Sequence, residues 1–250
     1  SAPLLELLVL KSVFCNQSKL HPLLIEAIEL IKKRINCLPD VKSLSVDPKS
    51  SEIYRKLNNE ELFIINEFYE AKGFRKIHLE VAKLGSSFQI LHCVFFPDPC
   101  YELPIFGVDL VFSSNNISAA IVDLSPVGKT ISPVLRSKME LLSVPNFKET
   151  RILPDWGYIF SPYVCFIRPV DSFEERSFLT LVDQYLSVLL SLVGIIRRDE
   201  INSLETITRF EYQKKYCSNQ KLNDKTRIIL SKFFGSSWAD EYIDKILFHC

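Results

Sequence analysis

The order of apolar patterns along the chain predicts an α+β protein with a central antiparallel β-sheet flanked by helices. Four strand-type runs crowd between residues 75 and 124. The loops between them, built on Gly85-Ser86-Ser87, Pro97-Asp98-Pro99 and Ser113-Ser114-Asn115-Asn116, are too short for parallel crossovers, which need a dozen or more residues. Helical periodicity then takes over from residue 173, and strands followed by helices in blocks favour a helix-covered antiparallel sheet over a βαβ fold.

Taken in order, residues 21–35 place Leu24, Ile25, Ile28, Ile31 and Ile35 at helical spacing with Glu and Lys between them, an amphipathic helix. Residues 39–51 are rich in Pro, Ser, Asp and Lys and read as a loop ahead of mixed sequence. From 75 to 81 the chain alternates, with Ile77, Leu79 and Val81 on one face and Lys76, His78 and Glu80 on the other. Runs 88–96, 104–112 and 117–124 continue the meander, and a further strand is expected within 158–168 after the turn Pro154-Asp155-Trp156-Gly157. Helices are expected over 173–196, 203–218, 224–234 and 238–248, with Asn223 or Asp224 capping the third and Ser236 or Ser237 the last.

The 250 residues suit one domain spanning 1–250 with a sizeable core. Hydrophobic residues make up 47%, with 18 Phe, and only 7 Gly, which argues against disorder and against a glycine-rich nucleotide loop. Lys+Arg and Asp+Glu both number 30, so no overall field attracts nucleic acid or an anionic membrane, and a charged partner must meet a local patch. Seven scattered cysteines with no C-x-x-C pair give neither a zinc site nor a disulfide framework, and point to a reducing compartment. The longest apolar stretch, 185–196, is interrupted by Ser187 and Ser191 and is too short to span a bilayer, so it reads as a buried helix. Residues 4–10 are leucine-rich but lack a basic leader and a small-residue cleavage site, so they are not read as a secretory signal.

Two polar residues interrupt the apolar runs. His92 sits inside Ile90-Leu91-His92-Cys93-Val94, and Asp109 inside Phe106-Gly107-Val108-Asp109-Leu110. Burial drives a carboxylate to take up a proton and an imidazole to lose one, so the two together can share or exchange a proton near neutral pH. A lone strand histidine is commonly a satisfied core residue; Asp109 is the stronger signal, because Asp is depleted in strands and its burial needs a partner. Asp123, in Asp123-Leu124-Ser125-Pro126, instead reads as a strand-end residue closing a turn. Glu80, by its residue type alone, would be an exposed strand residue. Trp156 and Trp238 read as core or turn anchors.

Several motifs occur together: Phe74-Arg75-Lys76-Ile77-His78-Leu79-Glu80, Leu91-His92-Cys93-Val94-Phe95-Phe96-Pro97, Leu103-Pro104-Ile105-Phe106-Gly107-Val108-Asp109 and Ala120-Ile121-Val122-Asp123-Leu124-Ser125-Pro126. Later come Trp156-Gly157, Phe166-Ile167-Arg168-Pro169, Tyr216-Cys217, Asn223-Asp224-Lys225-Thr226-Arg227 and Trp238-Ala239. Over roughly residues 74–248 they make the chain resemble the ferredoxin-dependent bilin reductases. The resemblance implies a three-layer α/β/α sandwich in which an open-chain tetrapyrrole lies between the sheet and the C-terminal helices. It implies no metal and no intrinsically bound cofactor: reduced ferredoxin, or flavodoxin, delivers electrons singly, the protein delivers protons, and reaction runs through bilin radicals. Asp109 then corresponds to the central acid near the pyrrole nitrogens, His92 to the partner sharing its proton, and Glu80 to the donor for the D-ring vinyl group. His78 belongs to their network, Lys225 and Lys76 to the propionate surroundings, and Ser118, Tyr216, Gln220 and Asn223 to the pocket lining. Asp224 has two readings, a helix cap and a pocket residue.

The His92/Asp109 pair is the pattern of family members that make phycocyanobilin from biliverdin IXα, with phycoerythrobilin or a dihydrobiliverdin as the alternative product. A non-catalytic bilin carrier is the alternative of another class, although a carrier would not need three proton-donating groups. The chemistry agrees, since an electron added to a neutral bilin is better accommodated when a proton arrives with it. Ferredoxin is acidic, so a basic docking patch is expected among Arg197, Arg198, Lys214, Lys215, Lys221 and Lys232. The expected setting is a soluble monomer of phycobilin biosynthesis in a cyanobacterial or phage-infected cytoplasm, or an algal plastid stroma.

Overall fold

The computed structural model describes residues 20–250, so the leucine-rich 4–10 run lies outside the described residues. The first helix of the described residues, α1 (Pro22–Asn36), starts where expected. Pro22 pre-sets the first helical φ, the His21 ring accepts from the Leu23 N–H, and Lys33 and Arg34 sit at the C-terminal end. Its buried face, Leu24, Ala27, Ile28, Ile31 and Ile35, belongs to the larger of two cores.

A short strand β1 (Lys42–Ser43) and the single turn α2 (Pro48–Ser51) lead into β2 (Glu52–Leu57), β3 (Glu60–Ala71), β4 (Phe74–Leu84), β5 (Phe88–Pro97), β6 (Ile105–Ser113) and β7 (Asn116–Ser125). With β8 (Cys165–Ile167) they form one eight-stranded sheet in the order β1-β3-β4-β5-β6-β7-β8, with β2 also paired to β3, and every pairing is antiparallel. Two hairpins, Asn58-Asn59 and Ser114-Asn115, close through two-residue turns with both residues at positive φ, the turn whose twist matches that of paired strands. The 52–71 segment is a difference from the expected mixed region: it supplies two strands. Arg55, Lys56, Glu60 and Glu61 around Asn58-Asn59 break the apolar alternation, although residues 62–66 are buried.

After β7 come α3 (Pro133–Glu140), a 3₁₀ turn (Asp155–Ile159), α4 (Ser172–Val193), α5 (Leu204–Gln220), α6 (Asp224–Phe234) and α7 (Ser236–Tyr242), which runs into a π-helical turn (Ile243–Leu247). The predicted strand over 158–168 shrinks to Cys165–Ile167. Its first part is held as a turn by Asp123, which accepts from the Ser161 N–H at 2.8 Å, the Ser161 hydroxyl at 2.5 Å and the Ser125 hydroxyl at 2.6 Å. Asn223 caps α6, whereas α7 starts from Gly235 at φ 89° with no side-chain cap, so neither Ser236 nor Ser237 serves there.

The sheet separates two cores, giving the α/β/α sandwich. One face, through Leu79, Leu91, Phe95, Phe106 and Leu110, packs on α1 and α4. The other, through Ile64, Ala82, Val94 and Phe96, packs on Tyr216, Leu230, Phe234, Ala239, Tyr242 and Leu247. By length and composition α4 could cross a membrane, and its Phe178, Leu181, Tyr185, Leu186 and Leu189 are fully buried in the first core. The scattered cysteines also prove different from expectation: Cys217 at the end of α5 is disulfide-bonded to Cys250, which closes the C-terminal segment onto α5.

The Asp123 anchor sets one expectation. Asp123→Ala leaves the buried Ser161 N–H and two hydroxyls without their acceptor and should lower the unfolding free energy by roughly 2–4 kcal/mol, read by urea denaturation. A loss near zero would show that the turn is held by something else.

Candidate active site

Antiparallel register aligns the polar residues. Asn66 of β3 faces Glu80 of β4, Glu80 faces His92 of β5, and His92 faces Asp109 of β6. Side chains opposite each other across a sheet share a face, so these four form one row, with His78 and Lys76 on the same face of β4. The sequence pattern put Lys76, His78 and Glu80 together; the pairing of strands brings His92 and Asp109 alongside.

His92 Nδ1 lies 2.5 Å from Asp109 Oδ1. The His92 side chain is 9% exposed and that of Asp109 39%, so the row is closed at Glu80 and opens to solvent at Asp109. Gly107, Val111, Ala119 and Ile121, also partly exposed, form the floor around it. Gly107 leaves little room for a side chain: a Cβ there would lie 3.0 Å from the Tyr216 hydroxyl, which reaches down from α5 and would have to give by a few tenths of an ångström.

Electrostatics treat the two histidines oppositely. Burial works against a charged His92, but Asp109, by charge and hydrogen bond, and then Glu80, outweigh it and raise its pKa. His78 is fully buried with only Asn66 Oδ1 as partner, 2.7 Å from Nε2; burial, then the charges of His92 and Lys76, hold it well below the usual histidine range. Because Asn66 Nδ2 donates to the Ser50 carbonyl at 2.8 Å, its Oδ1 is the acceptor, and neutral His78 carries its proton on Nε2. Among the described residues His78 Nδ1 and His92 Nε2 have no hydrogen-bond partner, and the rings meet edge-on with centroids 5.8 Å apart. Burial raises the Glu80 carboxyl, while His92 and a hydrogen bond from the Tyr242 hydroxyl pull it down. Lys76 is lowered to about 8 by burial and then by Arg75; its Nζ donates to the His249 carbonyl at 2.8 Å and lies 4.6 Å from the centre of the Phe96 ring.

The remaining predicted residues spread around this row. Tyr216 and Gln220 are buried in α5. Ser118 is the extra residue where the β6–β7 register shifts, and its hydroxyl donates to the Val111 carbonyl at 3.1 Å. Asn223 spends its side chain on the N–H groups of Lys225 and Thr226. Asp224 is 85% exposed, 3.6 Å from Arg227, and Lys225 is exposed on the first turn of α6. Sequence reasoning missed Asn66 and Tyr242. Asn66 carried the same signal as His92, a polar residue ending the apolar run Leu62-Phe63-Ile64-Ile65. A cavity of about 300 Å³ lined by Leu103, Val127, Ile131, Leu204 and Arg209 contains none of the row.

A helix-covered antiparallel sheet thus carries a carboxyl, an imidazole and a carboxyl in one row beside an open floor, an arrangement chemically able to exchange protons. Comparison with known proteins is more specific. The profile of the ferredoxin-dependent bilin reductases matches residues 28–249, and the chain belongs to that family. It is 47% identical to a phycocyanobilin:ferredoxin oxidoreductase of Prochlorococcus marinus strain MIT 9313 over 99% of this chain and 94% of that one. It is also 47% identical to one of Synechococcus strain CC9902, over 92% and 94%. Its fold matches the crystal structure of tomato phytochromobilin synthase in complex with biliverdin, with a TM-score of 0.71 at 16% identity over 90% of this chain and 81% of that one.

Removing the Asp109 charge while keeping its shape tests the pair. In Asp109→Asn the largest influence raising His92 is gone while burial remains, so the His92 ring should titrate at lower pH than in the native protein. Ring ¹H–¹³C NMR titration of the four histidines measures this; an unmoved His92 would assign its proton affinity to other groups.

Proposed function

We propose that this protein reduces biliverdin IXα to phycocyanobilin, taking electrons one at a time from reduced ferredoxin and protons from its own side chains. The observation that carries the reading is the single row Glu80–His92–Asp109, which supplies several proton donors to one ring system. The identity to phycocyanobilin:ferredoxin oxidoreductases over nearly the whole chain supports the product. Saturating a vinyl group adds two electrons and two protons, and each added electron is stabilised when a donor delivers its proton in the same encounter. Asp109 and His92 at the open centre of the sheet suit the pyrrole nitrogens and lactam oxygens, and Glu80, its proton affinity raised by burial, suits a vinyl group at the closed end. Lys225, Lys76, Ser118, Tyr216, Gln220 and Asn223 surround the bilin, with Lys225 exposed where a propionate would emerge. We place the enzyme in a cyanobacterial cytoplasm or plastid stroma as a monomer with no resident cofactor.

Ferredoxin would dock on the basic surface near the bilin edge. Lys214, 2.6 Å from Glu211, and Lys215, 4.9 Å from the Tyr158 ring centre, project from α5. Lys221 is likewise paired, with Asp244 at 2.5 Å, so Lys214 and Lys221 both share their charge with a neighbouring carboxylate.

Anaerobic turnover of biliverdin IXα with reduced ferredoxin, products separated by chromatography, should yield phycocyanobilin. Phycoerythrobilin would keep the family and overturn the product, and recovered biliverdin would favour a carrier. Glu80→Gln should slow D-ring vinyl reduction by about 10²–10⁴-fold, the usual worth of a positioned general acid. Unchanged product and rate would remove Glu80 from that role. Reversing the charge of both Lys214 and Lys215 should raise the Michaelis constant for ferredoxin and flatten its salt dependence; if neither moves, the docking surface lies elsewhere.

A further inference from the structure

Tyr242 is a residue that nothing in the sequence pattern singled out. It is buried, it lies at the junction of α7 and the π-helical turn, and its hydroxyl donates to Glu80 Oε2. The same hydroxyl is 3.0 Å from Asn66 Nδ2 and 3.2 Å from Asn66 Oδ1. The ring is fixed independently. Helical spacing within α7 stacks Trp238 on Tyr242, 4.7 Å apart at 11°, Phe234 from the end of α6 stacks on Trp238 across the Gly235 break, and the Arg55 guanidinium lies 5.0 and 5.7 Å from the Phe234 and Trp238 ring centres. Asn66 is anchored in turn by the Ser50 carbonyl and by His78.

We propose that Tyr242 is a positioning residue that holds the Glu80 carboxyl in place and sets its affinity for the proton it delivers. The inference rests on the reading of Glu80 as a proton donor to the bilin. The geometry lets the hydroxyl serve both states of Glu80 without moving a heavy atom. Facing a carboxylate, it donates to Oε2. Facing a protonated carboxyl, it turns its hydrogen to Asn66 Oδ1 and becomes an acceptor for Glu80. A donor whose surroundings need no rearrangement on losing its proton is the arrangement that favours transfer. Asn66 Oδ1, already taking the His78 proton, has a second lone pair for this.

The charged and titratable groups around Glu80 are His92 from β5, Asp109 from β6, Tyr242 from the helical layer, and His78 two residues along its own strand. A hydroxyl donating to a carboxylate favours the charged form, so Tyr242→Phe, which keeps the stacked ring, should make Glu80 hold its proton to higher pH. The experiment is difference infrared titration of the ligand-free protein, the Glu80 carbonyl band identified by its loss in Glu80→Gln. The midpoint should rise by about one to two units in Tyr242→Phe. Site-specific 3,5-difluorotyrosine at 242, a stronger donor, should move it down. A midpoint unmoved in both, or moved the same way in both, overturns the proposal; the difluorotyrosine protein, which keeps ring and hydroxyl, decides if Tyr242→Phe fails to fold. In turnover, the rate decline at alkaline pH should shift upward with the infrared midpoint in Tyr242→Phe. If the midpoint shifts and that decline stays put, Tyr242 does tune Glu80, and the reading of Glu80 as the donor falls instead.

Discussion

Because strand side chains alternate between faces, the Asn66–Glu80–His92–Asp109 row exists only while β3, β4, β5 and β6 keep a single register. A slip of one residue in β5 would turn His92 into the core beneath α4 and bring Leu91 or Cys93 up in its place. The opposite face resists that slip: Leu79, Leu91, Cys93, Val108 and Leu110 are all essentially without solvent contact. Moving each out of the core would forfeit roughly 1.5–3 kcal/mol for a residue the size of Val or Leu. The tight turn at Ser114-Asn115 and the positive φ of Gly73 and Gly85 fix strand lengths at the ends of the same strands. The apolar face thus determines where the polar row stands.

That row carries an energetic cost which its partners offset unequally. Two buried histidines with ring centres 5.8 Å apart would both shed their protons if burial acted alone. His92 keeps its affinity because a carboxylate lies against Nδ1, whereas His78 is hydrogen-bonded to a neutral amide and is driven down by burial and by the charges of His92 and Lys76. The same low-polarity setting raises Glu80, so a carboxyl and an imidazole beside it both hold protons more tightly than usual and titrate as a coupled pair. Adjacent strands thus place differently tuned acids within a short span, with no change in backbone geometry to distinguish them.

Much of this was legible in the sequence, for reasons that also explain the gaps. The meander from β4 to β7 could be read because its strands alternate and its loops are short, and His92 and Asp109 stood out because apolar neighbours made them costly. Glu80 was legible only through the family resemblance; as a residue type it reads as exposed, and it is 6% exposed in the structure. β2 and β3 were lost because charges cluster about the Asn58-Asn59 turn, hiding a buried run that begins only at Leu62. Tyr242 was invisible because its role depends on residues 162 and 176 positions away, Glu80 and Asn66, which only the folded chain brings to its hydroxyl. The Cys217–Cys250 bond was missed likewise, since spacing carries no sign of a helix end meeting the C-terminal segment.

The row also has a direction. Asp109 is partly open and Glu80 is covered, so a proton arriving from water along the row meets Asp109 first and Glu80 only past His92. The two ends therefore differ in how readily they can be recharged, a difference set by the helical layer and not by residue type. Over the closed end lie Tyr242 and the Phe234–Trp238 stack; over the open end the helices leave Gly107, Val111 and Ile121 partly exposed. Chemically similar carboxyls on one sheet acquire different duties because the cover above them is uneven. Redesign of the cover at α6 and α7 would accordingly change which acid is replenished fastest while leaving the acids themselves untouched.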